Sequence, residues 1–231
     1  MKTHLLPLTL IGMSAISASA VTIVNQGFET SGDTWNFTLD PNATFDGGGD
    51  TWAATTGMAG FSAITGPQQG TQYWGGRDMD GNAAFTSSTR GWLVFEDIDV
   101  SGYESKTLTF YWSGQSAVEE IGYLVATTTD GNSASITPNL DILTPVSGGV
   151  TLAANEAGTF LQDWTEVTIN IADNVTNVSF ALYGLSDGGT RYLAFDDVVL
   201  AGTVIPEPST VALGVAGLVG AVALMRRQKR S

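Results

Sequence analysis

Between Val21 and Ile205 apolar residues recur at every second position in short bursts, and Gly, Asn and Asp cut the bursts apart. A period of two belongs to the β-strand, whose successive side chains point to opposite faces, so each burst can bury one face and wet the other. The clearest runs are Gly91 to Phe95, Thr107 to Trp112, Ile121 to Thr128, Thr165 to Ile171, Val178 to Leu185 and Arg191 to Leu200. Within them Leu108/Phe110/Trp112, Val167/Ile169/Ile171 and Val178/Phe180/Leu182 each mark one face. Asp46-Gly47-Gly48-Gly49, Asp80-Gly81-Asn82, Asp130-Gly131-Asn132, Ser147-Gly148-Gly149 and Asp187-Gly188-Gly189 supply turns where a positive φ costs little. Long helical periodicity is missing from this stretch. The expected fold is therefore all-β, a two-sheet antiparallel β-sandwich.

Charge narrows the partners. From Val21 to Ile205 the basic residues are Arg77, Arg90, Lys106 and Arg191, against twenty-two Asp and Glu, which leaves −18 on a body whose whole chain carries −14. Nucleic-acid affinity comes largely from Lys and Arg replacing counterions, so nucleic acid is excluded as a partner, and divalent cations or neutral sugars fit better. The chain has no cysteine, and its one histidine is His4. Ser-His-Asp and Cys-His mechanisms and the usual zinc sites are thereby closed to the body.

The two ends read as addresses. Residues 1–20 have the parts of a secretory signal peptide: Lys2, an apolar stretch from Leu5 to Ile16, and the small-residue site Ala18-Ser19-Ala20. Export through the secretion machinery would leave a mature chain beginning at Val21. At the other end, residues 204–231 contain Pro206-Glu207-Pro208, an apolar segment from Thr210 to Met225, and the basic end 226–231, with Arg226, Arg227, Lys229 and Arg230. A helix over 210–225 reaches about 24 Å, short of a ~30 Å hydrocarbon core, and its cations would stay on the cytoplasmic side. The order of triplet, short apolar helix and basic cluster resembles the PEP-CTERM sorting domain of Gram-negative bacteria. That resemblance implies recognition by an exosortase, a membrane transpeptidase acting near the triplet. The protein would then be held transiently in the inner membrane by this C-terminal transmembrane helix, and afterwards reach the cell surface or an exopolysaccharide-rich extracellular matrix.

The body, residues 21–203, carries a second resemblance. Asn25-Gln26-Gly27-Phe28-Glu29, Thr128-Thr129-Asp130-Gly131, the Trp164 strand and Leu193-Ala194-Phe195-Asp196-Asp197-Val198 stand in the order found in galactose-binding-like jelly rolls, a group with many carbohydrate-binding modules. The resemblance implies a jelly-roll sandwich and a structural Ca2+ held by Glu29 together with Asp196 or Asp197. Two carboxylates from distant segments, completed by backbone carbonyls, suit calcium chemically. Arg77-Asp78-Met79-Asp80-Gly81-Asn82 has oxygens at alternate positions, but lacks the distal Glu of an EF-hand loop and reads first as a surface turn.

Two further chemistries were open. Carboxylate pairs for glycoside hydrolysis exist among Glu96, Asp97, Asp99, Glu119 and Glu120, yet nothing singles out a proton donor, so a non-catalytic body is expected. Aromatic rings offer a sugar platform: Trp35, Trp52, Tyr73, Trp74, Trp92 and Tyr103 are candidates, with Trp112 and Trp164 assigned to the core. The expected ligand-binding cluster is Tyr73 and Trp74 beside Asp78 and Asp80, with extracellular polysaccharide as the partner.

Overall fold

The computed structural model describes residues 19–47, 49–154 and 161–206, together with the single residue 217. Most of the expected signal peptide, the motif residues Glu207 and Pro208, the basic end 226–231 and the expected helix 210–225 apart from residue 217 lie outside the described residues. Among the described residues no helix is long and apolar enough to cross a membrane.

Among the described residues thirteen strands follow one another: β1 (Ala20–Gln26), β2 (Phe37–Asp40), β3 (Phe45–Gly47), β4 (Asp50–Thr55), β5 (Tyr73–Arg77), β6 (Gly91–Phe95), β7 (Ile98–Asp99), β8 (Tyr103–Gln115), β9 (Glu120–Thr128), β10 (Val150–Ala153), β11 (Leu161–Ile171), β12 (Asn177–Leu185) and β13 (Tyr192–Val204). They form two antiparallel sheets. The first runs β11-β8-β13-β5-β4-β3, with β1 also on β13; the second runs β10-β9-β12-β6-β2, with β7 on β12. The all-β, two-sheet expectation holds. All six strand runs read from alternation lie inside observed strands, except that β13 starts one residue later, at Tyr192.

The three alternating triplets enter one core. Leu108, Phe110 and Trp112 of β8 and Val178, Phe180 and Leu182 of β12 are buried there, and Val167, Ile169 and Ile171 of β11 pack against or within it. Trp35, Phe95, Phe110 and Phe180 form its aromatic centre, with ring centroids 5.0 to 6.1 Å apart in tilted pairs.

Sandwiches usually leave their outer faces wet, but here each is crossed by a long connection. Residues 56–72, between β4 and β5, lie on the first sheet and lay Phe61 and Ile64 over Tyr73, Tyr192 and Ala194. Residues 129–149, between β9 and β10, lie on the second sheet and bring Ile136, Leu140 and Val146 against Trp92, Ala181 and Tyr183. Covered on both sides, β12 is buried along its whole length.

The last strand is the keel of the first sheet. β13 pairs with β8 along one edge; on the other it takes β5 over Tyr192–Phe195 and β1 over Val198–Thr203. Ala20 faces Thr203 in this register, so the chain enters and leaves the body side by side.

Candidate functional site

The polar residues with most to explain gather where the strap 56–72 returns to the first sheet. On β8, Leu108, Phe110 and Trp112 point inward, so Thr109 and Tyr111 between them face out. Asp196 of β13 is paired with Tyr111, and Glu166 of β11 with Tyr111 from the other side. A register shift between Asp196 and Val199 inserts Asp197 with φ 49°, a left-handed conformation uncommon outside glycine, and Asp197 shares a cleft with Glu29 and Asp33 from the connection between β1 and β2.

Asp196 is fully buried. Its Oδ2 accepts the N–H groups of Gln68 (2.7 Å) and Gln69 (3.1 Å), and its Oδ1 that of Asp197 (2.8 Å). The two ion pairs among the described residues are Arg90 with Glu120 and Arg191 with Glu119, so Asp196 has no cation in reach. Burial pushes its carboxyl up to about 7, against the pull of those three N–H donors. Glu29 clasps the strap from the other side, accepting Thr71 N (2.6 Å), Thr71 Oγ1 (2.6 Å) and Gln72 N (2.9 Å). The Thr71 hydroxyl first, then the two N–H groups, hold Glu29 below the usual carboxylate range. Between the two clasps Gly70 takes φ 66°, and a Cβ there would run into the Glu29 carboxylate.

Glu29 and Asp197 line one open cleft of about 460 Å³ with Thr22, Asn25, Asp33 and Gln69. Burial, then the neighbouring Glu166, raises Asp197. The expected calcium ligands are thus near one another, but their carboxylates do not converge: Asp196 turns to the strap amides, and among the described residues no three His, Cys, Asp or Glu side chains form a metal-holding group. What the site offers a cation is Glu29 and Asp197 facing one cleft, with an uncompensated buried carboxylate behind them.

The expected aromatic platform is not assembled. Trp35, Trp52 and Trp92 are fully buried, and Tyr73 and Trp74 are 1% and 4% exposed. Neighbours on β5 point to opposite faces, so Trp74 enters the core while Tyr73 turns outward beneath the strap. Asp78 and Asp80 sit past the other end of β5, around the short turn Met79–Gly81. There burial, then Asp187, raises Asp80, so these residues are not one exposed cluster. Tyr103 is half-buried where β8 begins. Trp112 is in the core as expected, but Trp164 is on the outer face, packed edge-on against Tyr73 (5.7 Å) and donating to Gly66 O (2.9 Å). Alternation back from the inward Val167, Ile169 and Ile171 already turns residue 164 outward. The buried indole N–H groups of Trp52 and Trp74 lack an oxygen or nitrogen acceptor; their rings meet at 83°, a geometry suited to a weak N–H···π contact.

The candidate catalytic carboxylates are all engaged in holding the fold. Glu120 pairs with the buried Arg90; Glu119 pairs with Arg191 and accepts Asp187 N. Asp97 accepts Ala134 N and the Asn177 amide, Asp99 accepts Ser101 N, and Glu96 accepts the Asn36 amide.

Sequence reading missed Tyr111, Glu166 and Gln68. The Tyr111 hydroxyl donates to Glu166 Oε2 (2.9 Å), Thr168 donates to Glu166 Oε1 (3.0 Å), and Gln68 hydrogen-bonds the same phenol. The bond to Glu166, first, raises the phenol. The signal was present: an aromatic at the odd position between Phe110 and Trp112 must face outward.

No family model matches the chain, and no curated protein matches it. Among solved structures, the K3 cleaved adhesin domain of Lys-gingipain from Porphyromonas gingivalis is similar at 23% identity and TM-score 0.45, covering 78% of this chain and 98% of that one. The domain TmCBM61, solved with β-1,4-galactotriose, is similar at 16% identity and TM-score 0.41, covering 75% and 92%. The CBM22-1 xylan-binding domain of Paenibacillus barcinonensis Xyn10C stands at 10% and 0.40, covering 83% and 100%. At such distances ligand and activity have to come from the residues of this chain.

Proposed function

We propose that this chain is an exported protein, displayed at the cell surface or in the extracellular matrix, whose β-sandwich is a non-catalytic binding domain. The observation that carries the reading is where the first and last strands end. β1 begins at Ala20, β13 ends at Val204, and Ala20 pairs with Thr203. The ends of these two strands support a division of the chain into leader, body and tail. Cleavage after Ala20 removes one terminal residue of β1, and β13 ends before Pro206. Pro206 follows β13 by two residues and lies outside the sheet. An exosortase-type transpeptidase is the partner this arrangement suits.

Expression of the full chain with and without such a transpeptidase, followed by intact-mass measurement, tests the reading. The expected product lacks residues 1–20 and ends near Pro206 only when the enzyme is present, and Glu207→Ala blocks the second cut. An intact tail in both hosts would reduce the proposal to simple anchoring.

A second reading, that the domain binds extracellular polysaccharide, is favoured by the cleft that Glu29 and Asp197 line, since an acceptor-rich surface on an acidic body suits neutral hydroxyl groups. Calcium is the cation proposed for the same cleft, held through Glu29 and Asp197 and completed by backbone oxygens.

A further inference from the structure

We propose that the open part of the first sheet's outer face, centred on Tyr111 and bounded by Glu166, Gln68 and Asp197, is the surface that binds a neutral, hydroxyl-rich polymer. The inference rests on the polysaccharide-binding reading and assigns it a place.

Three observations meet there. First, the strap sorts the outward aromatics. Tyr73 and Tyr192 are buried beneath it, Phe61 stacking flat on Tyr192 at 5.1 Å and 9°, and Trp164 is tied to its Gly66 carbonyl. Tyr111 stands beyond the strap's edge, half-buried, on a strand whose outward neighbours Thr107 and Thr109 are also only partly covered. A flat ring offers its electron-rich face to the C–H groups of a sugar ring.

Second, Tyr111 is held before any ligand arrives. Its hydroxyl is fixed by Glu166 and Gln68, and Glu166 is fixed in turn by Thr168. These groups come from β8, β11 and the strap, so the ring is set by three separate segments, the preorganisation that keeps binding entropy low.

Third, the surface is continuous with the cleft through Asp197, which lines the cleft and stands beside Glu166. Across β11, β8, β13 and β1 it spans about 15 Å, more than one sugar ring. Its side-chain oxygens are acceptors seeking hydroxyl donors. The body's cations are engaged elsewhere: Arg90 and Lys106 are buried, Arg191 pairs with Glu119, and Arg77 donates to Gly189 O and Ala59 O. Among the described residues no side-chain cation on this face would balance a uronate or sulfate, so in calcium-free protein the ligand is uncharged.

Affinity electrophoresis of the full-length chain in detergent, in gels containing xylan, β-1,4-galactan or, as the anionic control, alginate, tests the assignment. At least one neutral polymer should retard the chain and alginate should not. Tyr111→Ala should weaken retardation at least about tenfold, and Tyr111→Leu, which keeps bulk without the ring, by a similar factor. Tyr111→Phe should stay within about threefold, while Glu166→Gln should fall between. Melting curves of each variant report folding, and Tyr111→Leu decides the matter should Tyr111→Ala unfold. A neutral polymer that retards Tyr111→Leu as strongly as the unmodified chain overturns the placement and leaves the binding reading standing. Retardation by none of the neutral polymers overturns both, and equal retardation by alginate overturns the uncharged-ligand assignment.

Discussion

The two straps cover equivalent faces and are fastened by opposite chemistry. The strap 129–149 is fastened by a donor: Arg90, 1% exposed, gives Nη1 to the carbonyls of Asn139 (3.1 Å) and Asp141 (2.6 Å) and Nη2 to that of Ile142 (3.3 Å). Its charge is answered by Glu120, and its guanidinium lies 5.7 Å from the Tyr183 ring centroid. The strap 56–72 is fastened mainly by acceptors: Asp196, Glu29 and the Gln115 side chain take its N–H groups. Among the described residues no cation answers Asp196. A donor clasp with its counter-charge is complete within the protein, whereas an acceptor clasp with a bare buried carboxylate is left sensitive to protons and cations. The open cleft lies beside the second kind.

The largest expected effect is on the complete clasp. Arg90→Ala leaves Glu120 buried and unpaired and removes the guanidinium from three strap carbonyls, of which Asn139 O keeps Trp92 Nε1 and Asp141 O keeps Thr144 N. Breaking a buried pair this way costs about 3 to 5 kcal/mol. At this chain length each kcal/mol corresponds to about 2 to 4 °C in melting temperature, so a drop on the order of 10 °C is expected in a thermal scan. A shift of only a degree or two would mean that the apolar contacts of Ile136, Leu140 and Val146 hold this strap without the arginine.

Next in size is the incomplete clasp. Asp196→Ala orphans the N–H groups of Gln68 and Gln69, at about 1 to 3 kcal/mol. The milder Asp196→Asn carries the pH test. A carboxyl raised from 3.8 to about 7 on folding is more often protonated in the folded than in the unfolded chain between those values. Its contribution to stability is therefore full below the unfolded value, falls as pH rises towards 7, and is flat above, with a slope of at most about 1.4 kcal/mol per pH unit. In metal-free protein the gap between unmodified chain and Asp196→Asn should change across that window. A constant gap from pH 4 to 8 would show that the three N–H donors already hold Asp196 ionised.

How much of this was legible follows from where the information lives. Alternation located the strands that feed the core, because Leu108, Phe110 and Trp112 cannot all be inward unless the chain is extended. The short edge strands β2, β3, β7 and β10 carry too few residues to show a period. The straps were invisible for a different reason. A loop residue such as Phe61 is buried by a surface assembled from β5 and β13, and no local pattern reports that surface. The same blindness misplaced the platform, since Tyr73 and Tyr111 are equally outward by alternation and only the strap tells them apart. Glu29 and the Asp196-Asp197 pair were named through the resemblance to galactose-binding-like jelly rolls, but their division of labour depended on a bulge and a loop far away in sequence.

Calcium ranks third and acts on the second clasp alone. A cation held by Glu29 and Asp197 favours the ionised form of Asp196 beside it, so its stabilisation should grow with pH. At about 100 times its dissociation constant it would contribute about 2.7 kcal/mol. Melting the full chain with millimolar calcium or with chelator, at pH 5 and at pH 8, should show a larger difference at the higher pH. Identical curves would sink the cation proposal and leave the bare carboxylate as the site's resting state.

The smallest effect separates the two ends of the acceptor clasp. Glu29 sits near the surface, where water competes for its oxygens, so Glu29→Gln should cost less than about 1 kcal/mol despite removing the charge that three donors share. Its contribution to stability is present above the unfolded carboxylate value and is lost as pH falls through the depressed folded value, the reverse of Asp196. Glu29→Gln should therefore matter at neutral pH and fade in acid, while Asp196→Asn is expected to change its effect in the window from 3.8 to about 7. Should both variants follow one pH profile, the strap is gripped by a single coupled pair of acids; two profiles of opposite slope mean that buried and exposed carboxylates hold it independently.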